Sequence, residues 1–250
     1  MDIQILAQKF YDYSDFIRGY SKDTIKRYRQ VINFYSRFAK IEDINQVNDD
    51  IEVPKLEKRL PPKLTKQDAT RLLEVVYNYP YQYHFLRYRN HAVFSIFLFA
   101  GLRKKELINL KLMDVDIENM SIFIRQGKGS KDRVVPMSYK LAESLKHYLA
   151  ERNRLRKTCP EFFTSLNRNL GFTDSGIKRL VEKIKKSSEI DFTIHKLRHT
   201  FATLMFEGGC DIYSLSRMMG HSDIKIIMIY LAASAEHLRS QIVKHPLNDL

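Results

Sequence analysis

After residue 64 almost every apolar run repeats at steps of three and four, and a single stretch alternates as a strand does. Candidate helices cover roughly 66–77, 87–100, 103–110, 137–153, 174–187, 196–207, 211–218 and 231–243. The exception is Ser121-Ile122-Phe123-Ile124-Arg125, followed across a glycine-containing loop by Arg133-Val134-Val135-Pro136; two short β runs so arranged make a hairpin. The pattern predicts a mainly α chain with a small β-hairpin or sheet, an α+β arrangement.

The first forty residues also read as helix. Ser21 is a suitable N-cap, and Ile25, Tyr28, Ile32, Tyr35 and Phe38 then recur on one face. Lys22, Lys26, Arg29, Asn33, Arg37 and Lys40 recur on the opposite face. Such a helix either rests on a core and meets phosphates or presents an ordinary solvated face. Between residues 41 and 64, Asp43, Asp49, Asp50, Pro54, Pro61 and Pro62 interrupt any period, and Thr65 then caps a new helix with Asp68 three residues on. The expected division is a short helical domain over 1–50, a linker over 51–64 and a larger domain over 65–250.

Charge narrows the class of partner. In 250 residues, 42 Lys and Arg stand against 29 Asp and Glu, a net +13, which points to a nucleic acid or an anionic membrane surface. Residues 1–64 hold 12 basic and 10 acidic side chains, so most of the excess falls in the larger domain. The longest apolar run, Ala92 to Ala100, is broken by Ser95 and closed by Arg103. It is far shorter than the roughly 20 residues a bilayer-spanning helix needs. No basic stretch leading into an apolar one follows Met1, so neither a signal peptide nor membrane insertion is expected, and nucleic acid becomes the leading partner. Apolar residues at 44% exclude general disorder. Cys159 and Cys210 lie far apart without a CxxC, which fits a reducing intracellular compartment and excludes a disulfide framework or zinc ribbon.

Several fragments carry possible chemistry. Gly101 lets the chain turn after the most apolar helix and leaves Arg103 beside the core. A guanidinium there must be paired, either with an external anion or with Glu106 three residues later on the same face. Gly127-Lys128-Gly129-Ser130-Lys131 is no Walker loop, because position 122 is Ile122 where that pattern needs glycine. Lys128 is then a cationic finger at the hairpin tip or simply a solvated lysine. His195 and Arg198, three apart, share a helix face and are able to hold one phosphate between them. Met219-Gly220-His221-Ser222 adds an imidazole after a helix-ending glycine, and Tyr230, one of 14 tyrosines, means nothing singly. Asp114, Asp116 and Glu118 alternate at period two, which on a strand would align oxygen ligands for a metal; a solvated edge leading into the hairpin is the favoured reading. No His/Cys metal spacing and no Gly-x-Ser-x-Gly elbow occur.

In order along the chain, Ala100-Gly101-Leu102-Arg103-Lys104-Lys105-Glu106-Leu107, the hairpin Gly127 to Arg133, His195-Lys196-Leu197-Arg198-His199-Thr200, and Gly220-His221 with Tyr230 resemble the tyrosine recombinase (phage integrase, Xer-like) family over about residues 20–250. The resemblance implies a tyrosine-recombinase catalytic fold over 65–250 preceded by a short helical DNA-clamping domain. It implies Tyr230 as the nucleophile that forms a 3′-phosphotyrosyl bond, and Arg103 and Arg198 as clamps on the non-bridging oxygens. Lys128 would be the acid for the departing 5′ oxygen, His195 an aid to the tyrosine's proton transfer, His221 a donor to the phosphate and Glu106 an orienting group. Double-stranded DNA would be gripped by Lys22, Lys26, Arg29 and Arg37, and by Lys178, Arg179 and Lys183 on a helix that turns Ile177, Leu180, Val181 and Ile184 inward. No metal and no cofactor are implied.

The family also implies a monomer or weak dimer when free and a tetramer on two DNA sites. The joint would be a C-terminal helix, Leu231 to Val243, with Leu231, Leu238 and Ile242 on one face; an intramolecular cap is the other reading of that helix. The implied location is cytoplasmic and nucleoid-associated. The N-terminal region resembles only the later part of the family's core-binding domain, with about fifty residues before the linker against the roughly eighty a complete one needs. Ile226-Ile227 stands where relatives often carry polar residues. A type IB topoisomerase and a catalytically silent DNA-binding protein are the alternatives. The compact hairpin and the Gly220-His221 turn favour a recombinase over the first, and the full set of polar positions with Tyr230 argues against the second.

Overall fold

The computed structural model describes residues 3–16, 22–39, 63–125 and 132–220. By internal contacts the chain falls into two units, residues 1–57 and 58–250. In the first, α1 (Ile3–Phe16) packs on α2 (Lys22–Ala39). Helix α1 buries Ala7, Tyr11 and Ser14, which fall on one helical face. The Phe10 ring meets Tyr28 edge-on at 5.4 Å between centroids, and the Arg29 guanidinium lies 5.0 Å from the centre of the Tyr11 ring. The apolar face expected on α2 is therefore only partly covered: Ile25 and Ile32 are half-buried while Tyr28, Val31 and Phe34 are exposed. Ser21 lies outside the described residues, as do the side chains of Lys22, Tyr35 and Phe38.

The division between the units falls inside the segment expected as linker, and the described part of the second unit begins at residue 63. Leu64 is buried, and its backbone N–H donates to Thr200 Oγ1 at 2.8 Å. Thr65 caps α3 (Lys66–Asn78), accepting from the Asp68 backbone N–H at 3.0 Å and donating to Asp68 Oδ2 at 2.8 Å. Helix α4 (His84–Phe99) is buried continuously from Ala92 to Leu98, since a helix apolar all round must be enclosed. It begins three residues before the periodic run suggests. Around it pack α3, α6 (Tyr139–Arg154) and α8 (Ile194–Glu207). Helix α5 (Lys104–Asn109) follows the Gly101 turn, while α7 (Asp174–Ser188) and α9 (Ile212–Met219) complete the described helices. Thr173, Thr193 and Asp211 each accept from a backbone N–H of the helix they precede, capping α7, α8 and α9. The expected helix over 231–243 lies outside the described residues. Among the described residues no helix is long and apolar enough to cross a membrane.

The hairpin forms as expected from β2 (Ser121–Ile124) and β3 (Arg133–Pro136), with Ile122 opposite Val135 and both buried. A further strand, β1 (Val115–Asp116), extends it to an antiparallel sheet in the order β1-β2-β3. Of the alternating carboxylates, Asp116 and Glu118 are exposed, as the solvated reading has it, while Asp114 departs from that reading. Asp114 is buried at the end of a 3-10 turn and accepts from Arg125 Nε at 2.7 Å and from the Lys111 backbone N–H at 3.0 Å. Asp116 closes the next turn onto Asn119, and Glu118 is exposed beyond the strand. A two-residue strand is too short to align three side chains, and Asp114 serves the fold instead of a solvated edge.

A long connection over residues 155–172 is held by a buried cation. Arg152 donates to the carbonyls of Lys157, Cys159 and Glu161. A smaller apolar cluster of Phe201, Ala202, Phe206, Leu215 and Met219 fastens α9 to α8 and so carries the chain at 218–220 toward the Gly101 turn. At that turn Gly101 has φ +61°, and a Cβ there would stand 2.2 Å from Phe201 Cδ1. Gly101→Ala is expected to lower stability by about 1–3 kcal/mol from backbone strain alone, with the collision adding to it. Denaturant unfolding measures this, and an unchanged midpoint would contradict it.

Candidate active site

Two turns, at residues 101–103 and 218–220, are the scaffold on which the candidate site is built. The left-handed conformation of Gly101 sends the chain out of α4 so that Arg103 becomes the N-cap of α5. Glu106, in the first turn of that helix, reaches back to accept the Arg103 backbone N–H on Oε2 at 2.8 Å and Arg103 Nη1 on Oε1 at 2.9 Å. The internal ion pair weighed from the sequence is therefore present. The Arg103 side chain nevertheless keeps 30% of its surface exposed, and its Nη2 lies 3.5 Å from the Gly220 carbonyl.

Arg198 reaches the same two turns from the other side. Thr193 starts α8 two residues earlier than expected, which places His195 in the first turn and Arg198 one turn on. Arg198 is 4% exposed and donates to the carbonyls of Gly101 and Met219. The two carbonyls hold the guanidinium through its N–H groups and fix the direction of Arg198. His195 is exposed. The structure thus brings Arg103, Glu106 and Arg198 onto shared segments, with His195 one turn from Arg198. Lys128, His221 and Tyr230 lie outside the described residues.

Sequence reasoning missed Arg133 as part of this cluster. Its Nη1 and Nη2 donate to the two oxygens of Glu106 at 2.8 Å each, and its Nε donates to the Met218 carbonyl at 2.7 Å. The signal was available in the strand period. Arg133 and Val135 share a face of β3, and a charged residue in phase with a fully buried valine requires a buried partner. Burial by itself would raise the Glu106 pKa. The hydrogen bonds from Arg133 and from the Arg103 backbone, together with the two guanidinium charges, outweigh it and bring the pKa down from 4.5 to about 2.

The expected DNA-contact side chains occupy outer faces. Lys26, Arg29 and Arg37 are exposed on α2, although the Arg29 guanidinium also rests on Tyr11. On α7, Ile177, Leu180 and Ile184 are buried and Val181 half-buried, as the period requires. Arg179 is exposed, Lys178 bonds Asp174 at 3.0 Å, and Lys183 lies 4.9 Å over the Tyr79 ring. Asp174 also bonds Lys104, which joins the start of α7 to the start of α5. Among the described residues no group of three or more His, Cys, Asp or Glu is placed to hold a metal ion.

A depressed carboxylate pKa stabilises the folded state above the unfolded pKa and ceases to do so as pH falls through the folded one. The contribution of Glu106 is thus complete above about pH 4.5 and is lost toward about pH 2. Glu106→Gln is expected to be less stable than the parent near neutral pH, with the gap closing across that window. Urea unfolding at a series of pH values measures it, and a gap independent of pH would be the contrary result.

The family model described as the phage integrase family matches residues 62–237. Tyrosine recombinase XerA of Pyrococcus horikoshii is 32% identical over 231 residues, covering 92% of this chain and 76% of the relative. Tyrosine recombinase XerC of Thermodesulfovibrio yellowstonii is 32% identical over 242 residues, covering 93% and 79%. A crystal structure of XerA recombinase superposes with a TM-score of 0.63 at 27% identity, covering 98% of this chain and 84% of that one. XerH site-specific recombinase, solved bound to its palindromic difH substrate after cleavage, shares the fold with a TM-score of 0.66 at 24% identity, covering 98% and 72%.

Proposed function

The chain belongs to the phage integrase family and is a tyrosine-type site-specific DNA recombinase, and from that premise we propose how its residues divide the reaction. The Tyr230 hydroxyl attacks the scissile phosphorus. The Tyr Oη–P bond forms as the P–O5′ bond breaks, leaving a 3′-phosphotyrosine and a free 5′ hydroxyl. The proton from Tyr230 passes toward His195, and Lys128 delivers one to the departing 5′ oxygen. Arg103 and Arg198 hold the non-bridging oxygens as negative charge builds in the pentacoordinate transition state, while His221 donates to the same phosphate. Rejoining reverses these steps with the 5′ hydroxyl of a partner strand, so the reading calls for neither metal nor nucleotide.

The observation that carries this reading is that Arg103 and Arg198, 95 residues apart in sequence, are both fastened to the turns at 101–103 and 218–220. Double-stranded DNA is the partner. Residues 1–50 are assigned as a shortened clamp that grips the backbone through Lys22, Lys26, Arg29 and Arg37, residues 51–64 as its linker, and residues 65–250 as the catalytic domain. Lys178, Arg179 and Lys183 meet the duplex from α7. Free protein is a monomer or weak dimer, and the C-terminal helix ties four copies on two sites within the cytoplasm, at the nucleoid.

The test uses a duplex selected from a random-sequence pool by retention on this protein, then nicked beside the bound site so that cleavage cannot reverse. The parent chain is expected to become covalently joined to the 3′ end and Tyr230→Phe to give no adduct; an adduct in Tyr230→Phe would overturn the assignment. Lys128→Ala is expected to cleave slowly, and a 5′-bridging phosphorothiolate, whose leaving group needs no acid, is expected to restore the rate. Failure of that rescue removes Lys128 as the acid.

A further inference from the structure

Lys178 is one of the residues read as a DNA contact, yet its partner in the free protein is a carboxylate that a second lysine shares. Lys104, the first residue of α5, bonds Asp174 Oδ1 at 2.5 Å, and Lys178, one turn into α7, bonds Oδ2 at 3.0 Å. Among the described residues neither lysine has another ion-pair partner. Two ammoniums carried by different helices thus converge on one oxyanion. The cluster is open to solvent, with 44% of the Asp174 side chain and 63% of the Lys178 side chain exposed. Its ion pairs are not what seats α7. The Thr173 hydroxyl caps the helix, and Ile177, Leu180 and Ile184 bury its inner face. Gly176 passes so close to the Phe172 ring that a Cβ there would stand 2.5 Å from Cε2. Exposed pairs of this kind add little to stability, so both lysines can exchange the carboxylate for another anion without loosening the helix.

We propose that Lys104 and Lys178 together bind one backbone phosphate of the duplex, and that Asp174 holds the pair in place and competes with that phosphate. The inference rests on the reading of α7 as a helix that meets DNA, and it adds Lys104 to that contact. A phosphodiester presents two oxygens that share one negative charge, as a carboxylate does, so the lysines exchange one for the other by small movements of their flexible stems. Asp174 belongs to a seated helix and stays beside the bound phosphate, which it repels. A phosphate contact carries no sequence information. Asp174 therefore lowers affinity for DNA of every sequence and shortens residence on sites that are not the protein's own.

Fluorescence anisotropy of the full chain on two labelled duplexes, the selected one without its nick and one of scrambled sequence, tests this over a series of salt concentrations. Asp174→Asn is expected to melt as the parent does and to bind both duplexes about fivefold more tightly at low salt, the order set by one charge at contact distance in a water-like medium. The slope of log affinity against log salt is expected to steepen by about 0.9, the increment for one further neutralised phosphate charge. In the Asp174→Asn background, Lys104→Met and Lys178→Met are each expected to take back that gain. Glu151→Gln, which releases Arg154 from a surface pair on α6, is expected to leave affinity and slope at parental values. A merely structural tie between α5 and α7 predicts the opposite sign: Asp174→Asn would melt lower and bind no better. That result, an unchanged slope, an equal gain from Glu151→Gln, or a gain that survives Lys104→Met would each overturn the inference. A parent chain that joins covalently to its selected duplex while Asp174→Asn binds as the parent does overturns this inference alone; a chain that retains no duplex from the pool overturns the DNA reading with it.

Discussion

Glu106 is the point at which four separately formed pieces of the second unit are tied. It belongs to α5, its main partner Arg133 to β3, its second partner Arg103 to the turn after α4, and Arg133 in turn holds the carbonyl of Met218 at the end of α9. Desolvation works against a carboxylate in such a place, and four hydrogen bonds with two positive charges reverse the balance. Losing one partner of a buried pair of this kind costs about 3–5 kcal/mol, because the other charge is left uncompensated. The register of the sheet, the start of α5 and the end of α9 therefore depend on one another through a single side chain.

The two arginines on this scaffold are prepared differently. Arg198 is buried and bonded to main-chain oxygens, which fix its direction. Arg103 is more exposed and shares a carboxylate that Arg133 also holds. Both are oriented by partners already in place, and on the proposed reading such donors need no rearrangement as charge develops on a bound phosphate. The +13 of the whole chain thus separates into buried arginines whose geometry is set by the fold and surface cations with local partners, such as Lys178 on Asp174 and Lys183 on Tyr79.

Much of the fold was legible because helices, caps and hairpins are decided within a few residues. Thr65 with Asp68, the buried faces of α3 and α7, and the pairing of Ile122 with Val135 follow from spacing alone. The Arg103–Glu106 pair was legible for the same reason, being one helical turn apart. What failed were expectations that treated a local period as if it persisted. Asp114, Asp116 and Glu118 alternate in sequence, but a 3-10 turn, a two-residue strand and a turn divide them. Tyr28 fits the apolar stripe of α2, yet a pair of helices within the first unit does not enclose it.

By itself the sequence determined the helical character, the hairpin, the positive charge and the ordered motifs that mark the family, since each is written in residue types at short spacing. Only the tertiary structure decided that Gly101, Glu106, Arg133, Arg198 and Met219 meet. Those contacts join residues 21 to 117 positions apart, and they exist because the packing of α4, α8 and α9 and the register of β3 bring the segments together. Arg133 shows the difference: its strand position announces that it must be paired, but which carboxylate it pairs with is fixed by the approach of β3 to the start of α5.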